Sequence, residues 1–233
     1  MRKIYLFLLT FFISTAVAFA SLETIEQNMH ECLKGLISNI SMASCVIQAS
    51  SESEKEINNI LPKLQDINNN QELWKLYKNS TESSVNSLLQ SSLGTMYYLF
   101  SKNNTYGMNY NRLLVLNNLN NSTPYKQESS LSDRLENCLS KSSTDIEKEK
   151  CYIKETEWFT NQIENDLKTL QPLLSKEDYN KLKNNQAVWV SYKNDTEKML
   201  SNKVSNLIKA QIMKNIYAER SGQLLDLKVL YGI

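Results

Sequence analysis

Apolar residues fall at helical intervals along most of this chain. Phe159, Ile163, Leu167, Leu170 and Leu174 are spaced 4, 4, 3 and 4 apart, which places them on one face of an α-helix. Trp189, Tyr192, Thr196 and Met199 continue at 3, 4 and 3 and predict the next helix. Earlier, Ile57, Ile60, Leu61 and Leu64 obey the same logic, and Trp74 and Tyr77 open a helix expected to run to about Leu99. Between the two later stripes, Pro172 and then Ser175 to Asp178 read as a helix stop followed by an N-cap. No stretch alternates strictly between apolar and polar residues, as a half-buried strand would. With 5 glycines and 3 prolines in 233 residues, little interrupts these helices. The expected fold class is all-α.

One apolar run differs from the rest. Ile4 to Val17 follows Arg2 and Lys3 and precedes Ala18-Phe19-Ala20. It is too short to span a bilayer, and its flanks read as a secretory signal peptide over residues 1–20, removed before Ser21. No later run is long enough to cross a membrane, so no stable membrane insertion is expected after cleavage. The expected location is the periplasm or the exterior.

The polar positions carry a second regularity. "NNQELWKLYKNSTES" runs from Asn69 to Ser83, and "NNQAVWVSYKNDTEK" runs from Asn184 to Lys198; nine of the fifteen positions are identical. Around each phrase, other features recur in the same order. Cys32 and Cys45 have twelve residues between them, as do Cys138 and Cys151. Pro62 and Pro172 precede the phrase, and Arg112 and Arg220 follow it inside Leu-rich segments. Such self-similarity predicts two tandem units: unit 1 over 21–120, a linker over 121–130 rich in Asn and Ser around Pro124, and unit 2 over 131–233. Each unit reads as about four helices: a short helix, a disulfide, a helix, a turn, a long helix and a final short helix. The first unit is seven residues longer between tryptophan and arginine, an excess expected in "SKNNTYG", residues 101–107.

Four cysteines in an exported chain predict two disulfides, for which three connectivities exist. A duplicated unit that closed its own bond favours Cys32–Cys45 and Cys138–Cys151. Twelve intervening residues are not the spacing of a thiol oxidoreductase. His30 is the sole histidine, too little for a Cys/His zinc site or for a base activating a nucleophile. No Gly-rich phosphate loop occurs. The expectation is therefore a non-enzymatic protein with no cofactor and no metal. Without Arg2 and Lys3 the chain holds 24 basic and 25 acidic residues, which gives no reason to expect nucleic acid as a partner. Gln71, Trp74 and Tyr77, like Gln186, Trp189 and Tyr192, recur three residues apart on one helical face. Their aromatic rings are expected to pack inward, with each glutamine bonded to a backbone end or a tyrosine hydroxyl.

A cysteine pair, a long helix, Gln-x-x-Trp-x-x-Tyr-Lys-Asn and a late arginine together resemble the LprI-like family, formerly a domain of unknown function. The resemblance covers Glu31 to Leu119 and Asn137 to Leu227, with Gln71, Trp74, Tyr77 and Arg112, and Gln186, Trp189, Tyr192 and Arg220, as its structural motif. The family comprises small exported bacterial domains named for a lysozyme inhibitor. The resemblance implies an exported binding protein with a protein partner, a lysozyme being the one the family name indicates. The alternative is a structural or host-interaction module with a different protein partner. Two departures stand out. Glu82 and Glu197 occupy the positions where the family has a further cysteine, and no lipid-attachment cysteine is present.

Overall fold

The structure is a computed structural model that describes residues 22–91, 94–120 and 131–232. The expected signal peptide at 1–20 and the expected linker at 121–130 lie outside the described residues. The described residues are helical, with no strand among them. In the first half, α1 spans 22–33, α2 Asn39–Ile60, α3 Asn68–Thr81, α4 Ser87–Ser91 and α5 Thr95–Asn120. The second half contains α6 Asp133–Leu139, α7 Asp145–Leu170, α8 Lys176–Ser201 and α9 Asn206–Leu230. Cys32–Cys45 and Cys138–Cys151 are both bonded, and no described cysteine is free. Each bond ties the short first helix of its half to an early turn of the next.

The apolar stripes seat each half in the same way. Ile57 and Ile60 of α2 are buried, with Leu61 and Leu64 partly buried beside them, and α2 packs along α5. In the second half α7 packs along α9, burying Ile163 and Leu170, with Leu174 just beyond. The halves then meet through α5 against α9 and α3 against α8. Their apolar side chains form one continuous core that includes Trp74, Tyr77, Leu113 and Leu116 with Leu182, Trp189, Tyr192 and Leu224. A smaller cluster of Leu135, Tyr152 and Ala210 surrounds Cys151.

Three expectations need correction. The helix opened by Trp74 does not run unbroken to Leu99: Gly94 turns the chain at φ 148° ahead of α5, a conformation open mainly to glycine. The final helix of each half is long: α5 and α9 have 26 and 25 residues. Residues 101–107 form no inserted loop, because they lie within α5. The extra length of the first half is instead helical, on either side of the turn at Gly94. It includes the π-helical stretch Glu82–Asn86 between α3 and α4, the geometry of a residue inserted into an α-helix.

Candidate functional site

The repeated phrase lies where α3 and α8 meet, and its side chains bond reciprocally. Arg112 and Arg220 are both 0% exposed. Arg112 Nε donates to Gln71 Oε1 at 2.9 Å, and its Nη1 donates to Asn70 Oδ1. Arg220 Nε donates to Gln186 Oε1 at 2.8 Å, and its Nη1 donates to Asn185 Oδ1 at 2.6 Å. The two glutamines thus accept from arginine, rather than pairing with a backbone end or a tyrosine as expected. Each asparagine turns its amide nitrogen to the other half. Asn70 Nδ2 donates to Thr196 Oγ1 at 2.9 Å, and Asn185 Nδ2 donates to Thr81 Oγ1 at 3.0 Å. Between these crossings, Tyr77 and Tyr192 stack with ring centroids 5.6 Å apart and planes at 14°, within the range of favourable offset stacking.

The arrangement explains why those residue types stand at those places. A guanidinium cannot shed its charge and must find acceptors when buried. An amide offers an acceptor to its own arginine and a donor to the opposite threonine. Trp74 and Trp189 fill the space on the same face: Arg112 lies 5.9 Å from the Trp74 ring, and Trp189 meets Tyr217 edge-on at 5.2 Å. Burial lowers both arginine pKa values. The Tyr192 hydroxyl beside Arg112, and Tyr77 with Glu219 beside Arg220, act in the opposite direction. Tyr77 and Tyr192 are themselves pushed up by burial.

The seam is not fully reciprocal. In the second half Gln223 Oε1 also accepts from Arg220 Nη1 at 2.9 Å, and the Tyr77 hydroxyl lies 3.0 Å from Glu219 Oε1 and 3.1 Å from Gln223 Oε1. Asn111 Nδ2 donates to Glu219 Oε2 at 2.7 Å. Burial raises the Glu219 carboxyl to about 7, while the hydrogen bonds from Asn111 and Tyr77 pull it down. Counting from the two arginines, the first-half equivalents of Glu219 and Gln223 are Asn111 and Val115.

Glu219 also faces a groove of about 710 Å³ between α5 and α9, to whose lining α6 and α7 contribute. Phe100, Tyr106, Tyr110 and Phe159 supply aromatic walls; Phe159 thus leaves the core stripe to which its spacing assigned it. Three further ionisable groups face this space: Glu155, Lys214 and Asp226. Glu155 accepts from Ser132 Oγ at 2.7 Å and from Arg134 Nη2 at 3.0 Å. Ser132 is the N-cap of α6 and accepts from Leu135 N, so its hydroxyl is engaged in both directions. Lys214 is 9% exposed, and burial lowers its pKa against the opposing pull of Glu155. Asp226 is raised to about 7 by burial.

Sequence reasoning found the motif residues but missed four groove features: Lys214, Asp226, Gly107 and Gly222. They lie outside the repeated phrase and recur at no matching position, so no signal marked them as a group. Asn70, Asn185, Thr81 and Thr196 did carry a signal, since each pair is identical in the two phrases. Comparison with protein-family models, with curated proteins and with solved structures finds no match to this chain.

Proposed function

We propose that this chain is an exported, non-enzymatic binding protein, built from two tandem copies of one helical unit, that receives a protein partner in the groove between α5 and α9. The observation that carries this reading is where the polar side chains are engaged. The amides of the repeated phrase are engaged, Gln71 and Gln186 within their own half and Asn70 and Asn185 also across the seam, while Trp74 Nε1, Trp189 Nε1, Arg112 Nη2 and Arg220 Nη2 are buried away from any space a ligand could enter. In the groove, Lys214 and Asp226 have no hydrogen bond or ion pair among the described residues, although both line it. Charged groups held without internal partners suit an incoming ligand better than a scaffold.

A catalytic reading draws less support. The Ser132 hydroxyl is tied to Glu155 and to the α6 cap, so it is not poised as a nucleophile. Glu219 and Asp226 are seven residues apart on α9, about 10 Å of helix rise with side chains tilted the same way. That is wider than the carboxylate separations of about 5–9.5 Å used in glycoside hydrolysis.

Export is supported by the two disulfides, which persist in oxidising compartments. No described helix is long and apolar enough to cross a membrane. Within this reading, a lysozyme is the partner that the LprI-like resemblance implies. Within the groove only Asp226 offers a carboxyl without a partner to a cationic lysozyme, since Glu155 is held by Arg134 and Glu219 by Asn111. The test is lysis of a peptidoglycan suspension by lysozyme with the purified protein at micromolar excess. Inhibition that Asp226→Lys abolishes is the expected result. Unchanged lysis removes lysozyme as the partner, and recovery of a specific different protein from envelope extract would then support the structural or host-interaction alternative.

A further inference from the structure

Resting on the binding-protein reading, we infer that the groove between α5 and α9 is a peptide site. It takes an extended segment of about five residues, with an acidic group at Lys214 and a basic group at Asp226. Three independent features of the groove support this occupant.

The first is Lys214. Its side chain is nine-tenths buried, with 9% exposure, and it opens onto the groove without a hydrogen bond or ion pair among the described residues. The nearby carboxylate, Glu155, is already held by Arg134 and Ser132. With no other side chain pairing it, the ammonium remains open to an anion that enters the groove, where the contact would be charge-assisted. The second is Asp226, an unpartnered carboxylate of opposite sign lining the same groove. The two are twelve residues apart on α9, about 18 Å along the helix axis. An extended peptide advances about 3.3 Å per residue, so about five residues span that distance. The aromatic walls of the groove supply apolar surface for the side chains of such a segment.

The third is glycine placement. Of the five glycines, Gly35, Gly94 and Gly232 take positive φ values in turns. The other two, Gly107 and Gly222, lie inside α5 and α9 and both line the groove. A Cβ at Gly222 meets nothing within 4 Å, and one at Gly107 meets Glu219 Cγ at an ordinary 3.7 Å. Neither position has a packing reason for glycine, which is the poorest helix residue after proline. What the two absent side chains leave is depth for an occupant. Buried Lys214, unpaired Asp226 and two mid-helix glycines each work against stability, and all of them border one space. That is the signature of a site retained at the expense of the fold.

The test uses the full chain immobilised on beads and a library of end-capped pentapeptides randomised at every position, with bound peptides eluted and sequenced. The expected result is enrichment of Asp or Glu at one end and Lys or Arg at the other. Lys214→Met should erase the acidic preference and Asp226→Asn the basic one, each weakening the best peptide at least ten-fold. Gly222→Leu should block the groove and abolish binding while Tm rises by about 2–4 °C, as expected for replacing a helical glycine. Loss of binding in a more stable protein separates occlusion from misfolding. No enrichment, or enrichment indifferent to Lys214→Met and Asp226→Asn, overturns the inference. So does binding of chitotetraose that Gly222→Leu removes, since it assigns the groove to a saccharide. If an envelope protein is captured equally by wild type and by Gly222→Leu, the binding-protein reading stands and the peptide groove falls. Peptide binding with no effect on lysozyme leaves the groove intact and removes only that partner.

Discussion

The two halves of the molecule share a phrase, a disulfide spacing and a buried arginine, yet they secure their helices by different means. In the second half α6, α7, α8 and α9 all begin at a Ser or Thr whose side chain accepts from the first turn: Ser132, Thr144, Ser175 and Ser205. Thr144 and Glu147 form a full capping box, and α8 opens with Glu177 and Asp178 beside its positive end. In the first half neither α2 nor α3 has a side-chain cap or an acidic residue in its first turn. The helix that follows α3 passes through a π-helical stretch. The second half is thus held by local signals, whereas the first relies more on burial against α5 and on the seam. The difference shows that two halves of like pattern can be stabilised either locally or by their neighbour, provided the seam is kept.

The largest test of this contrast is the pair of buried arginines. Arg220→Ala strands Asn185 and Gln186 and removes one of the two donors to Gln223; Arg112→Ala strands Asn70 and Gln71. Each is expected to destabilise by about 3–5 kcal/mol, with Arg220 the more severe because it holds a third acceptor. Urea titration of both variants measures the difference, and equal losses would show that Gln223 adds nothing to the seam.

Disulfide removal comes next. Both bonds have a sequence separation of 13, so chain entropy gives each about 3 kcal/mol. Cys32→Ala/Cys45→Ala and Cys138→Ala/Cys151→Ala are expected to shift the urea midpoint alike. A larger loss from the first pair would mean that the uncapped half depends on its staple more than loop length dictates.

Capping substitutions should separate the halves more cleanly. Thr144→Ala and Ser175→Ala are each expected to cost about 1 kcal/mol, while Ser38→Ala should change little, since Ser38 makes no cap bond. Amide exchange read by mass spectrometry should show the first turn of α2 exchanging faster than that of α7.

The smallest effect is the pH dependence. Glu219 and Asp226 rise to about 7 from ordinary values of 4.5 and 3.8, so the folded chain holds their protons more tightly than the unfolded chain does. Their contribution is full below the ordinary values and is lost as pH rises through about 7. Glu147 acts in the other direction: hydrogen bonds from Ser143 and Thr144 hold it at about 2, so its contribution is lost only as pH falls below 4.5 toward that value. Scanning calorimetry should therefore show Tm falling between pH 5 and 8. Glu219→Gln should flatten part of that slope. Asn111→Ala should steepen it instead, because the hydrogen bond from Asn111 Nδ2 is one of the contacts that hold the Glu219 carboxyl down.

Much of this molecule was legible in its pattern of residues. Helical spacing marked Ile163, Leu170, Trp189 and Tyr192 as inward-facing, and they are buried. Repeated cysteine spacing favoured the two bonds that are present. Asn70 and Asn185, and Thr81 and Thr196, are identical between the phrases, but identity alone did not separate them from the other shared positions. The break after Ser91 was missed because a π-helical stretch preserves the apolar face and leaves no local signal apart from Gly94. The partners of Gln71 and Gln186 were missed because arginine lies 41 and 34 residues away, beyond the reach of any periodicity.

Local sequence thus determined the helices, their inward faces and the intra-unit disulfides. Those depend on intervals of three or four residues, on caps and on short loops, which the chain satisfies wherever it happens to pack. Only the tertiary structure decided that the two phrases face each other, that Tyr77 meets Tyr192, and that Lys214, Asp226, Gly107 and Gly222 border a single groove. A helical period specifies the direction in which a side chain points. It does not specify what stands opposite, because that depends on contacts more than a hundred residues apart in sequence, such as Asn70 with Thr196 at a separation of 126.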